Sequence, residues 1–405
     1  MRLLPLVFTL LWSLADAQNG LTLYIPLDNR PPNWLPCTWG LVLCPPPELY
    51  QGQNGADPAQ LAAWLDRTSG TRLIVSMDAL VYGGLVQSRT STISAEEAKG
   101  RIAPALAWKL RTGGRVLIFG IIPRAPDSKD RARNLEVLRT LTPEAGFDYV
   151  EVPWDDALPG SPALAEAATL QVFTRPGADE TGQVLLLRAL RPGLRVKVLY
   201  DNPAAAKQVV RYDGIPLEES VSRLLQSAGA LQVERNPDLV LVAYTGPDPR
   251  QGLLTILRGL REGRVAVADI ARVNRGDPAL MKYLLGTQEL PQLAAYSAWG
   301  TPSNNIGTAL AQGGLFLNDE LRRTEVLARS WLEYLWGEVG RPWVRARFPE
   351  PLTEEAQRYV LERLQHEPTP VLDLGKLELT GLWTPWRRSF EAYFNWRWEN
   401  AASVP

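Results

Sequence analysis

Two pairs of adjacent acids lie close together in the chain, Asp155-Asp156 in WDDALPG and Asp179-Glu180 in PGADETG. Each pair follows a short apolar stretch, where a strand would hand over to a helix. Barrels and open α/β folds place their chemistry at that end of their strands. Neighbouring carboxylates repel, so one of them keeps its proton to a higher pH, which suits general acid and base work. The competing reading is that the acids only cap helix N-termini. Two such dyads in succession favour function.

Other polar residues recur at the same phase. Asp28, Arg30 and Asn33 follow the first apolar run, Asp78 and Tyr82 the second, and Asp201 and Asn202 the sixth. Asp269 closes the eighth, and Trp299, Asn304 and Asn305 follow the last. On parallel strands all of these converge on one face. Acids, amides and aromatics at such a mouth suit carbohydrate, because hydroxyls need polar partners and sugar faces need rings. Glycoside cleavage needs only two carboxyl groups, one of them protonated. The ring of acids also leaves open which two carboxyls form the working pair.

Composition removes several other chemistries. The single histidine, His366, lies in a charged helical segment, so a Ser-His-Asp or Cys-His mechanism has little support. No G-x-S-x-G elbow or G-x-x-x-x-G-K-[ST] phosphate loop is present, and the His/Cys clusters of zinc sites are missing. We expect no cofactor and assign no metal ligands. Gly83-Gly84 reads as a tight strand-to-helix turn rather than a dinucleotide fingerprint. A net charge of -1 gives no reason to expect a nucleic-acid partner.

The elements that must position these residues are strand-then-helix units. Apolar runs at 21–28, 71–80, 115–124, 148–153, 171–176, 195–203, 238–246, 264–274 and 293–300 read as strands, most of them followed by amphipathic segments. Runs apolar on both faces predict parallel sheet covered by helices. Eight or nine such units predict a TIM-like (β/α)8 barrel, regular or distorted, over residues 18–317. The alternative is an open doubly wound parallel sheet. Residues 318–405 change character, to two long amphipathic helices and a Trp/Arg-rich β element that would pack beside the barrel or complete the cleft.

Residues 1–17 read as an export signal, with Arg2, an apolar run from Leu3 to Leu14 and Ala15-Asp16-Ala17 as the cleavage site. The expected location is therefore secreted, periplasmic or cell envelope, with no membrane span in the mature chain. In that setting Cys37 and Cys44 are expected to bridge across a Pro-rich loop, with two free thiols as the alternative.

PGADETG resembles the G-x-D-E segment of barrel-type β-hexosaminidases, and Asp155-Asp156 resembles the double aspartate of O-GlcNAc-hydrolase-type barrels. Both likenesses imply a retaining, substrate-assisted reaction on an amino sugar. On a larger scale the ordered blocks PLDNRPPN, MDALVYGGLVQSR, WDDALPG, GADETG and WGTPSNNIGTALA resemble a bacterial family catalogued as a domain of unknown function. That resemblance spans roughly residues 21–320, with Ala298-Trp299-Gly300-Thr301 standing where the family pattern has G-W-N-T.

The sequence therefore reads as an exported glycoside hydrolase acting at a chain end on an amino-sugar-containing glycan. Asp155, Asp156, Asp179 and Glu180 are the reactive candidates, with Glu180 or Asp156 as general acid. Asp28, Arg30, Asn33, Asp78, Tyr82, Asp201, Asn202, Trp299, Asn304 and Asn305 are the substrate-binding candidates. The alternatives are a non-catalytic glycan-binding envelope protein and a metal-dependent hydrolase with oxygen ligands.

Overall fold

Leu239, Val240, Leu241 and Val242 are consecutive and all fully buried. A strand whose alternate faces are both apolar needs helices on each side. The computed structural model describes residues 20–124 and 128–399, where this requirement is met twice; residues 1–17, expected to be an export signal, lie outside them.

Strands β1 (Thr22–Ile25), β2 (Arg72–Ser76), β3 (Arg115–Phe119) and β4 (Tyr149–Glu151) form one parallel sheet in chain order. Strands β5 (Arg195–Tyr200), β6 (Leu231–Gln232), β7 (Leu239–Tyr244), β8 (Arg264–Asp269) and β9 (Ala295–Ser297) form a second, in the order β6-β5-β7-β8-β9. The protein is thus mixed α/β with parallel sheets, as the apolar runs predict. The expected ring of eight strands is not among the pairings of the described residues. The run at 171–176 contributes only bridges, Glu151 with Phe173 and Trp154 with Pro176, on the open edge of the first sheet.

The helices follow the chain. Next to β1 comes α1 (Pro31–Trp34); then α2 (Pro58–Arg67), α3 (Met77–Tyr82), α4 (Leu85–Thr90) and α5 (Ala103–Thr112). Leu61 and Leu65 of α2 and Ala105 and Trp108 of α5 cover the outer face of the first sheet. Its inner face, with Tyr24, Ile74, Leu117 and Phe119, packs on Leu185 and Leu186 of α6 (Thr181–Leu190). In the second sheet, α7 (Leu217–Ser227), α6 and α10 (Pro302–Leu315) cover Leu239, Leu241, Ala266 and Ala268. The opposite face packs on α8 (Pro249–Leu260), α9 (Pro278–Gly286) and α11 (Glu320–Leu335). Helices α6 and α10 therefore lie side by side between the two sheets. Gly307 of α10 allows that approach, since a Cβ there would collide with the Glu180 side chain.

Residues beyond 318 share a core with the second sheet. Leu327 and Trp331 of α11, Val360 and Leu364 of α12 (Glu354–Gln365), and Leu377 and Leu379 pack with Val240, Val242, Val265 and Val267. Strands β10 (Val371–Leu372), β11 (Gly375–Trp383) and β12 (Tyr393–Glu399) make a small antiparallel sheet. Cys37 and Cys44 form a disulfide. No helix among the described residues is long and apolar enough to cross a membrane.

Candidate functional site

A pocket of about 530 Å³ opens where β1, β3, β4 and β9 end. The first sheet side brings Arg30, Arg89, Arg124, Asp155, Asp156 and Asp179 to its wall. The second brings Asn274, Trp299, Gly300, Thr301 and Asn304. The loop between β11 and β12 closes it with Pro385, Trp386, Arg388, Phe390 and Glu391. The C-terminal region thus completes the cleft.

Asp179 is the best-anchored carboxylate in the pocket. Arg30 Nη2 donates to its Oδ1 at 2.5 Å and Nη1 to its Oδ2 at 3.2 Å, while Asn33 Nδ2 donates to Oδ1 at 3.2 Å. Burial alone would raise its pKa, but Arg30 and Asn33 hold the carboxyl below the usual range, so it is ionised. Asp28 sits behind, only 1% exposed, and accepts from Arg30 Nε and Nη2 and from Asn33 Nδ2. Asp28 and Asn33 therefore aim Arg30, and only Arg30 of the three lines the pocket.

Glu391 stands on the other side of Arg30, whose Nη1 donates to Glu391 Oε1 at 3.4 Å. Burial pushes this carboxyl up to about 7; Arg30 pulls it down, and the charges of Asp179 and Asp28 push it further up. One guanidinium thus separates an ionised carboxylate from one that holds its proton near neutrality. Environments that push two carboxyls apart in this way assign base and acid roles.

Asp155 and Asp156 face the same space. Arg89 Nη2 donates to Asp155 at 2.5 Å, and Arg124 Nη1 donates to Asp156 at 2.8 Å. Burial raises both, and the Asp155 charge helps carry Asp156 to about 6.

Glu180 does not reach the pocket. Its side chain is fully buried, and its Oε1 accepts from Arg175 Nη1 at 2.5 Å. Arg175, itself 0% exposed, also binds Glu151 and donates to Ser227 and Thr181. Burial lifts Glu180 to about 7 against the pull of Arg175, and its Oε2 has no partner among the described residues. With a proton on Glu180 the cluster of one cation and two carboxyls is neutral. Its place is structural.

Several substrate-binding candidates also serve the scaffold. Ser76 caps α3 directly after β2, so Asp78 enters a helix instead of ending a strand. Its Oδ2 accepts from the backbone of Ile121 at 2.9 Å. Tyr82 lies under Arg133, 5.1 Å from its ring centroid, and does not line the pocket. Gly83 and Gly84, at φ of 99° and 146°, make a turn between two helices, α3 and α4, instead of the expected strand-to-helix turn. Asp201 accepts from the Thr245 backbone and hydroxyl at 2.8 Å, and Asn202 accepts from the Ala204 backbone. Asn305 ties down the Trp299 loop through Gly300 and the Asp269 carbonyl. Of the three candidates in the last block, Trp299 and Asn304 line the pocket and Asn305 does not.

Sequence reasoning missed Arg89, Arg124, Arg345, Arg388, Trp386 and Glu391. Arg89 closes the MDALVYGGLVQSR block and Arg124 ends the third apolar run, so position alone marked both. Among the described residues no group of three or more His, Cys, Asp or Glu is placed to hold a metal ion. The deep carboxylates of the pocket are matched with arginines instead.

The family model described as "Protein of unknown function (DUF4127)" matches residues 22–144 and 129–395. The chain belongs to the DUF4127 family. No curated protein matches it. The DUF4127 match runs through Arg30, both dyads, the Trp299 loop and Glu391, so the C-terminal loop is part of the family unit. Nothing in these matches extends the short likenesses to β-hexosaminidases.

Away from the pocket, Asp78, Asp213 and Asp269 are buried without a carboxylate-neutralising ion pair among the described residues. Burial lifts them to about 7, 6 and 7, from 3.8. The folded chain then holds protons that the unfolded chain has lost, so stability is full below about pH 4 and falls as pH rises through 6 to 7. Thermal melts of this DUF4127 protein are expected to give a lower melting temperature at about pH 8 than at about pH 5. Unchanged or rising values would contradict the burial argument.

Proposed function

We propose that this protein is an exported glycoside hydrolase acting at the end of a glycan chain, with Asp179 and Glu391 as its working carboxyls. The carrying observation is the pair itself, an ionised Asp179 and a raised Glu391 on one Arg30 nitrogen. Asp179 is the nucleophile or base and Glu391 the acid that protonates the leaving oxygen. Asp179 Oδ2 and Glu391 Oε1 both accept from Arg30 Nη1, which places the two carboxyls on one wall of the pocket. Asp155 and Asp156 orient the sugar, and Trp299 and Trp386 supply faces for stacking. An amino sugar follows the likeness of Asp155-Asp156 to O-GlcNAc-hydrolase-type barrels alone, since Glu180 of the GADE segment is buried outside the pocket.

The Cys37–Cys44 bridge fits an oxidising compartment, in line with the signal-like leader. The test is mass spectrometry of cell-wall and exopolysaccharide fragments incubated with the purified chain. Release of a terminal sugar is expected from wild type and not from Asp179→Asn. Equal release by a folded Asp179→Asn chain would end this assignment. Activity is expected to fall as pH rises through about 7, where Glu391 loses its proton. A rate flat across that range would exclude Glu391 as the acid.

A further inference from the structure

We propose that the sugar bound in this pocket carries an acidic group, received by Arg345 and Arg388 at the rim; this rests on the glycan reading above. Five arginines line the pocket. Arg30, Arg89 and Arg124 each meet a carboxylate within 2.8 Å. Arg345 and Arg388 have no carboxylate within ion-pair distance among the described residues. Arg345 directs its Nε to Ser389 Oγ at 2.7 Å, and its two Nη groups make no hydrogen bond there. Glu350, which feels the charge of both, is itself engaged by the Ser389 backbone and hydroxyl.

The backbone is strained to build this rim. Trp386 and Arg387 both hold left-handed conformations, at φ of 57° and 56°. Side chains with a Cβ adopt that region at a cost, and such strain gathers at binding sites. Here it places the Trp386 ring in the pocket wall, with Arg30 at 5.4 Å and Arg388 at 5.8 Å from its centroid. An aromatic plate flanked by an unpaired guanidinium presents a stacking face beside a planar fork. A neutral sugar uses the plate alone, whereas a sugar with a carboxylate or sulfate uses both. The protonated state of Glu391 adds to the same preference, since it leaves the lining with a surplus of positive charge.

The test is isothermal titration of the full chain with D-glucose, D-glucuronate and D-glucose 6-sulfate, at about pH 6 and low salt. At least one acidic sugar is expected to bind about tenfold or more tightly than glucose. Preference for glucuronate assigns a carboxylate, and preference for the 6-sulfate a sulfate ester; either supports the proposal. Arg345→Ala with Arg388→Ala is expected to abolish the preference without moving the melting temperature, since both side chains are exposed. Equal binding of all three sugars, or a preference that survives the double variant, would overturn it. Glucose binding without acid preference leaves the hydrolase reading standing. Acid preference without glycan turnover removes that reading alone. No binding by any sugar defeats both.

Discussion

Arg175→Met is expected to lower stability by about 3–5 kcal/mol, because it strands two buried carboxyls in one step. Arg175 is fully buried and is the cation for both Glu151 and Glu180, at 3.0 and 2.5 Å. Methionine fills much of the stem volume but offers no donors. Ser227 at 2.7 Å and Tyr149 at 3.0 Å still donate to Glu151, so Glu151 keeps two bonds and loses its counter-charge. The loss should shrink as pH is lowered below about 7, where Glu180 takes a proton and needs the cation less. Urea titrations at two pH values measure both effects. Glu180→Gln is the control: an amide imitates the protonated carboxyl, and a change within about 1 kcal/mol is expected. Destabilisation by Glu180→Gln as large as that by Arg175→Met would show that Glu180 is charged in the folded protein.

Glu391→Gln is expected to reduce kcat by about 10²–10⁴ on unactivated glycosides, the range for loss of a positioned general acid. The amide is isosteric and stays beside Arg30, so the fold and sugar binding are expected to persist. Aryl glycosides with an acidic leaving group need little protonation and should lose far less. The fall in activity near pH 7 should also disappear, because the titrating group is gone. A merely structural Glu391 would move neither the leaving-group dependence nor the pH profile. If both substrate types lost activity equally, or the alkaline fall stayed in place, the acid would have to be another group, with Asp156 next in line at about 6.

The sequence by itself determined the parallel α/β class, since runs such as LVLVAY admit burial on both faces and no exposed one. It also marked Arg30, Asp155, Asp156, Asp179, Trp299 and Asn304, which lie on the pocket wall because parallel strands share a polarity. Only the tertiary structure decided the rest. The same local pattern serves a ring or two open sheets, and long-range pairing sets which forms. Asp179 and Glu180 are adjacent, yet one faces Arg30 in the pocket and the other Arg175 in the core. The turn into α6 points successive side chains in different directions, and no local composition fixes which receives the buried cation. Asp78 was lost to a Ser76-capped helix, and Asp201 to a loop bond with Thr245. Glu391 lies 361 residues from the arginine it flanks, so only folding could make it a neighbour of Asp179.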